Sequence, residues 1–188
     1  QSYVDLYRRE KQPEMLRPFI DTLEILMSRP YPTKGEIDVI KWWWCDALFM
    51  APPVMTKLYK ATGNMEYLTR NDEYFKESYD LLYNKKERLF ARDNRYIFNE
   101  DGTGRKEANG QPIFWSRGNG WVMGGLVRVL QDLPADYPQR PFYENLFKEM
   151  AGRIAELQPE DGLWRASLLD PDAYPGGEVS GSGFNCYA

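Results

Sequence analysis

Asp46 is the residue of this sequence best placed to move a proton. It lies in Lys41-Trp42-Trp43-Trp44-Cys45-Asp46-Ala47-Leu48-Phe49-Met50, at the head of a long apolar run. A carboxyl group set among rings can keep a proton until a substrate takes it, as a general acid must. The plain alternative is a carboxylate that complements a helix dipole in its first turn. A second block reads Ile113-Phe114-Trp115-Ser116-Arg117-Gly118-Asn119-Gly120-Trp121. Arg117 there falls at an expected helix N-terminus, where the dipole disfavours a cation. It could pair with Asp46, or its fork could clamp a substrate carboxylate. Trp121 follows one helical turn later on the same face. A third block, Gly181-Ser182-Gly183-Phe184, offers hydroxyls and free backbone N–H groups, or an ordinary N-cap.

These blocks must act without much of the usual catalytic inventory. The 188 residues include no histidine, which removes His-based triads and His-ligated zinc from this chain. The two cysteines, Cys45 and Cys186, are too far apart for a CxxC pair. No acidic cluster has Ca2+-loop spacing, and Asp170 and Asp172 read as a surface pair, so no metal is expected. Gly118-Asn119-Gly120 lacks the strand and third glycine of a nucleotide fingerprint, and no cofactor is expected. A net charge of −4 argues against a nucleic-acid partner, and no apolar stretch is long enough for a membrane span. Aromatic residues make up 15% of the chain, enough either to fill a core or to line a carbohydrate cleft.

Helical spacing predicts a helix over 13–28, with Pro13 in its first turn. A loop follows over 29–35, then a long apolar helix over 42–62 kinked at Pro52-Pro53. An amphipathic helix is expected over 65–83. The connection from 84 to 116 holds two short strand candidates, at 89–92 and 96–98. It also holds turn signals at Asp101-Gly102 and Asn109-Gly110. Helices over 117–132 and 141–157 come next, then a second long loop over 158–182 and a helix start near Gly183.

Apolar or glycine-rich helices thus begin at Trp42, Arg117 and about Gly183, roughly 70 residues apart, and alternate with amphipathic ones. Such alternation implies helical hairpins arranged as a toroid, with the apolar members inside and the long loops gathered above their N-termini. The first residues read as the tail of a helix in progress and the last as a helix just begun, so a segment of a longer protein is expected. Secretion and oligomeric state are not legible.

WWWCDALFMAPPVMTKLYKATGN, FWSRGNGWVMGGL and DGLWRASLLDP…GGEVSGSGFNCYA resemble the unsaturated rhamnogalacturonyl hydrolases of glycoside hydrolase family 105. These are akin to the unsaturated glucuronyl hydrolases of family 88. The resemblance runs over nearly the whole chain. It implies an all-α fold, part of an (α/α)6 barrel, with residues 1–188 a partial catalytic domain truncated at both ends. It also implies a partner: an oligosaccharide with a Δ4,5-unsaturated galacturonyl residue at its non-reducing end, left there by a lyase acting on rhamnogalacturonan. In such an enzyme an aspartate hydrates the vinyl ether instead of attacking the anomeric carbon. By motif that aspartate is Asp46, and Trp44, Arg117 and Trp121 fall at sugar-site positions. Trp43 and Asn119 complete the expected substrate-binding set. Family members carry a second aspartate upstream of Asp46 that this chain lacks, and some carry a histidine near the position of Arg92–Tyr96. The competing readings are another (α/α)6 carbohydrate enzyme, either an unsaturated glucuronyl hydrolase or a polysaccharide lyase, and a non-catalytic hairpin scaffold.

Overall fold

The computed structural model describes residues 1–29, 40–99 and 101–188. The expected loop at 29–35 lies outside this set from residue 30 onward. Among the described residues the chain is helical, with α1 (Ser2–Glu10), α2 (Arg17–Ser28), α3 (Ala47–Met50), α4 (Pro52–Thr62), α5 (Glu66–Leu82), α6 (Ser116–Asp132), α7 (Arg140–Glu156) and α8 (Val179–Tyr187). One two-stranded antiparallel hairpin, β1 (Tyr83–Asn84) and β2 (Leu89–Phe90), pairs Tyr83 with Phe90.

The hairpin alternation expected from sequence is present. α6 packs against α3, α4 and α8 in one row, and α1 packs against α4. α5 backs α4 and α7 backs α6. The main core lies between the rows: Leu48, Val122, Leu126 and Val129 meet Leu68, Phe75, Tyr143 and Met150. No helix among the described residues is long and apolar enough to cross a membrane.

The helix expected over 13–28 is a 3-10 turn, Pro13–Met15, followed by α2, and two further boundaries differ from expectation, each for a local reason. The helix expected from Trp42 starts at Ala47. Trp44 instead bridges Asp93, and the Cys45 N–H donates to the Arg92 carbonyl at 2.9 Å, so extended pairing holds the tryptophan run out of the helix. The last inner helix starts at Val179 rather than near Gly183, because the Glu178 carboxylate accepts from the backbone N–H groups of Ser180 and Gly181. Glycines that suggest a loop are tolerated in the first turn of a well-capped helix. In the long connection, 89–90 is a strand as expected. The segment around Tyr96 instead forms a 3-10 turn, Asn94–Tyr96, capped by Asp93.

At Pro52-Pro53 the sequence predicts a kink within one helix, whereas the structure has two helices, α3 ending at Met50 and α4 starting at Pro52, and the break shapes the interior. Prolines donate no N–H, so the Leu48 and Phe49 carbonyls lose their helical partners. The Phe49 carbonyl accepts from Gln1 Nε2 at 2.8 Å. The Leu48 carbonyl faces Gly125 of α6, where an added Cβ would overlap its oxygen and lie 2.9 Å from its carbon. Gly125→Ala should therefore destabilise the protein by about 1–3 kcal/mol through overpacking. Gly183→Ala, in α8 with nothing within 4 Å of an added Cβ, should be neutral or stabilising by up to about 1 kcal/mol. Urea midpoints of the two variants check this, and equal shifts would refute the close-approach argument.

Candidate active site

A cleft of about 160 Å3 opens where the inner-helix starts converge. Asp46 reaches it from the residue just before α3, Arg117 and Gly118 from the first turn of α6, and Glu178 from the N-cap of α8. Arg92, Trp115 and Ala166 complete the lining. Short extended pairings stitch these starts together. The Ser116 N–H donates to the Ala166 carbonyl at 2.8 Å, the Leu168 N–H to Phe114 at 2.9 Å and the Glu178 N–H to Trp164 at 2.8 Å. The 44–45 segment lies against 92–93 by the pairing already described. Segments distant in sequence are thereby fixed around one small space.

Asp46 is half-buried and does not cap α3. The side chain of Arg117 is exposed and makes no hydrogen bond or ion pair among the described residues, so the Asp46–Arg117 salt bridge does not form. Its guanidinium keeps all its donors beside a carboxylate at the mouth of the cleft. Gly118 lets α6 come this close: an added Cβ would lie 2.9 Å from Cys45 Sγ and 3.8 Å from Asp46 Oδ1.

Arg92 is held from behind. Its Nε donates to Asp93 Oδ2 at 2.8 Å, and Arg95 grips the same carboxylate through Nε and Nη2, each at 2.9 Å. The Asp93 side chain is 0% exposed. Burial works against its charged form, but the hydrogen bonds from Arg95 and Arg92 outweigh it and hold the pKa at about 2. The guanidinium carbons of Arg92 and Arg105 each stand 5.0 Å from the Tyr96 ring centre. Tyr96 lies 6.2 Å from Trp115, which lies 5.6 Å from Tyr174, so rings continue outward from the cleft.

Of the residues expected from sequence, Asp46 and Arg117 come together in this cleft. Trp43 and Trp44 meet at a tilt, with ring centres 4.6 Å apart and planes at 56°, just ahead of Asp46, half-buried and outside the lining of the cleft. Trp121 packs into a ring cluster with Phe49 at 4.7 Å and Phe184 at 4.3 Å, also outside that lining. Asn119 does not fit the expected substrate-binding role. It is fully buried, its Oδ1 accepts from the Phe90 N–H at 2.8 Å, and its Nδ2 donates to the carbonyls of Phe90 and Trp115 at 3.1 Å each. It is a staple between α6 and β2, with its amide used up. Sequence reasoning passes over Arg92, Trp115 and Glu178 as site residues. An acid placed just before Ser180-Gly181 is a legible capping signal, whereas Arg92 is marked only by its position in space.

A family model described as Glycosyl Hydrolase Family 88 matches residues 1–188. An unsaturated 3S-rhamnoglycuronyl hydrolase from Formosa agariphila is 58% identical over 100% of this chain and 52% of its own length. A solved glycosyl hydrolase family 88 structure from Bacteroides vulgatus is 34% identical, with a TM-score of 0.88 over 98% of this chain and 50% of its own. Another, described as a polysaccharide lyase, is 37% identical with the same TM-score of 0.88, over 98% of this chain and 49% of its own. The chain thus spans about half the length of the curated relatives it matches. Its arc of helical hairpins is part of the all-α, (α/α)6 toroid of these enzymes.

The ion pairs behind Arg92 carry a prediction. A carboxylate whose pKa falls from 3.8 to about 2 on folding stabilises the protein above its unfolded value, by about 2 kcal/mol. That contribution is lost as the pH drops from about 4 to about 2. The difference in unfolding free energy between wild type and Asp93→Asn, read from urea titrations, should shrink across this window. A pH-independent difference would refute it.

Proposed function

Because the chain belongs to Glycosyl Hydrolase Family 88, we propose that the protein removes a Δ4,5-unsaturated uronyl residue from the non-reducing end of an oligosaccharide in which rhamnose comes next. The observation that carries this reading is that Asp46 shares a cleft with a guanidinium that has no partner among the described residues, at the point where three helix starts meet. The name of the 58% identical relative supports both the uronyl group and the rhamnose.

In this reading Arg117 takes the uronate carboxylate in a two-pronged grip, which sets the C4=C5 bond over Asp46. Asp46 gives its proton to C4 as positive charge develops at C5, where the ring oxygen shares it. Water adds at C5 and returns a proton to the carboxylate. The resulting hemiketal opens: the C5–O5 bond breaks, C5 becomes a ketone, and C1 is left as a hemiacetal that expels the neighbouring sugar as an alcohol. No group attacks the anomeric carbon, so the spacing rule for paired glycosidase carboxylates does not apply. Trp43 and Trp44, tilted against each other directly ahead of Asp46, offer ring faces for sugar, and Trp121, one turn after Arg117 on α6, packs on Phe49 and Phe184.

The test uses the full-length protein and follows the ultraviolet absorbance of the C4=C5 bond. The substrates are unsaturated glucuronyl-rhamnose and unsaturated galacturonyl-rhamnose disaccharides, the second being the form expected from the motif resemblance. Wild type should consume the absorbance of at least one, and Asp46→Asn should slow it about 10²–10⁴-fold. Arg117→Ala should lower kcat/KM by about 10–100-fold, the loss of a charged hydrogen-bonded pair. A rise in absorbance on intact polysaccharide would instead establish a lyase, as the name of the 37% identical structure would suggest.

A further inference from the structure

We propose that Cys45 is a positioning residue for Asp46. Its thiol holds Oδ1 against the floor of the cleft and leaves Oδ2 as the oxygen that transfers the proton. The inference rests on the reading of Asp46 as the acid and adds what orients it.

Cys45 Sγ donates to Asp46 Oδ1 at 3.4 Å. Among the described residues this is the hydrogen bond that the Asp46 carboxylate makes: it forms no cap on α3 and no ion pair with Arg92 or Arg117. The carboxylate is thus tethered at one oxygen only. The thiol cannot wander, because Cys45 is 0% exposed and its backbone N–H is tied to the Arg92 carbonyl at 2.9 Å. Gly118 closes over it, with room for no side chain, since a Cβ there would stand 2.9 Å from Sγ. Burial, and then the neighbouring Asp46, push the thiol well above its ordinary pKa, so it remains a donor. A thiol is a weak donor, and a weak tether suits an acid that must change charge in each turnover. A strong donor such as an arginine would hold the carboxylate charged and slow its return to the acid form.

A purely structural cysteine, filling space with an apolar sulfur, makes the opposite prediction on substitution. Ser keeps the donor but puts a hydroxyl in an apolar slot, whereas Ala keeps the slot apolar and loses the donor. In the full-length protein we expect Cys45→Ala to lower kcat by about ten-fold with KM unchanged, and Cys45→Ser to recover most of it. Equal or lower activity in the Ser variant than in Ala would overturn the proposal, as would wild-type kcat in both. A second readout needs no turnover. The S–H stretching band of Cys45, isolated as wild type minus Cys45→Ala, should shift to higher frequency in Asp46→Ala as the hydrogen bond is lost. An unmoved band would refute the tether itself. If the band moves but wild type leaves the unsaturated bond intact, the assigned reaction has failed and the contact stands without a catalytic role.

Discussion

The close approach of α6 to its inner neighbours fixes where every chemical group at the cleft can stand. Helices normally pack with axes about 8–10 Å apart because side chains hold them off. Along the face that α6 turns to α3 and α8, side chains are missing. Gly118 lies over Cys45, Gly125 over the Leu48 carbonyl, and Gly120 and Gly124 over Phe184. Each glycine costs helix stability, on the order of 0.5–1 kcal/mol against alanine. The return is positional: the first turn of α6, bearing Arg117, is set against the residue before α3, bearing Asp46. The proline pair belongs to the same device, because the kink turns the Leu48 carbonyl towards the helix that has no side chain to meet it.

The far end of α6 is fixed by charge instead of shape. Asp132, in the last residue of the helix, has a side chain only 8% exposed and takes Arg8 of α1 at 3.2 Å and Lys60 and Lys57 of α4 at 2.9 and 3.7 Å. A nearly buried acid shared among three cations on two helices is harder to lose than an exposed pair, since removing it would strip Arg8 and Lys60 of their partner and leave Lys57 with Asp5 alone. Behind, Asp72 of α5 accepts from the hydroxyls of Tyr137 and of Tyr143 in α7 at 2.5 and 2.6 Å. α6 is thus pinned at both ends and backed along its length, so the geometry at its N-terminus is a property of the rigid scaffold and not of a loop.

How far this was legible from sequence follows from what each feature depends on. The helices over 66–82, 116–132 and 140–156 were readable because periodic apolar faces are local information. The site of the break at Pro52-Pro53 was readable because proline acts on its own chain, although it divides two helices where one kinked helix was expected. The start at Trp42 was misplaced because the tryptophans looked like a helix face, while the partner that draws them into extended pairing, Arg92-Asp93, lies some distance along the chain. Asn119 illustrates the same limit: a polar residue between glycines, flanked by Arg117 and Trp121, reads as a ligand contact until Phe90 is found on both ends of its amide. That Asp46 and Arg117 share the cleft follows from local signals, because each stands at the start of an inner helix and those starts converge. Arg117 also breaks a local rule, as a cation at a helix N-terminus, and such breaks mark candidates for function.

Arg117 shows what such a violation costs and what relieves it. A cation in the first turn opposes the helix dipole by about 0.3–1 kcal/mol. Arg117 nonetheless forms no ion pair among the described residues, although Asp46 and Glu178 line the same cleft. The acid nearest in purpose is instead tethered by a thiol, and Glu178 is committed to the N–H groups of α8. Both carboxylates are therefore kept from neutralising the guanidinium. In the proposed reaction an oxyanion entering the cleft would meet an exposed cation at the positive end of α6, while the α8 N–H groups are already taken by Glu178, and its binding would relieve the unfavourable placement of Arg117. A fold that satisfied Arg117 internally would gain stability and lose the free cation on which the proposed grip of a uronate depends.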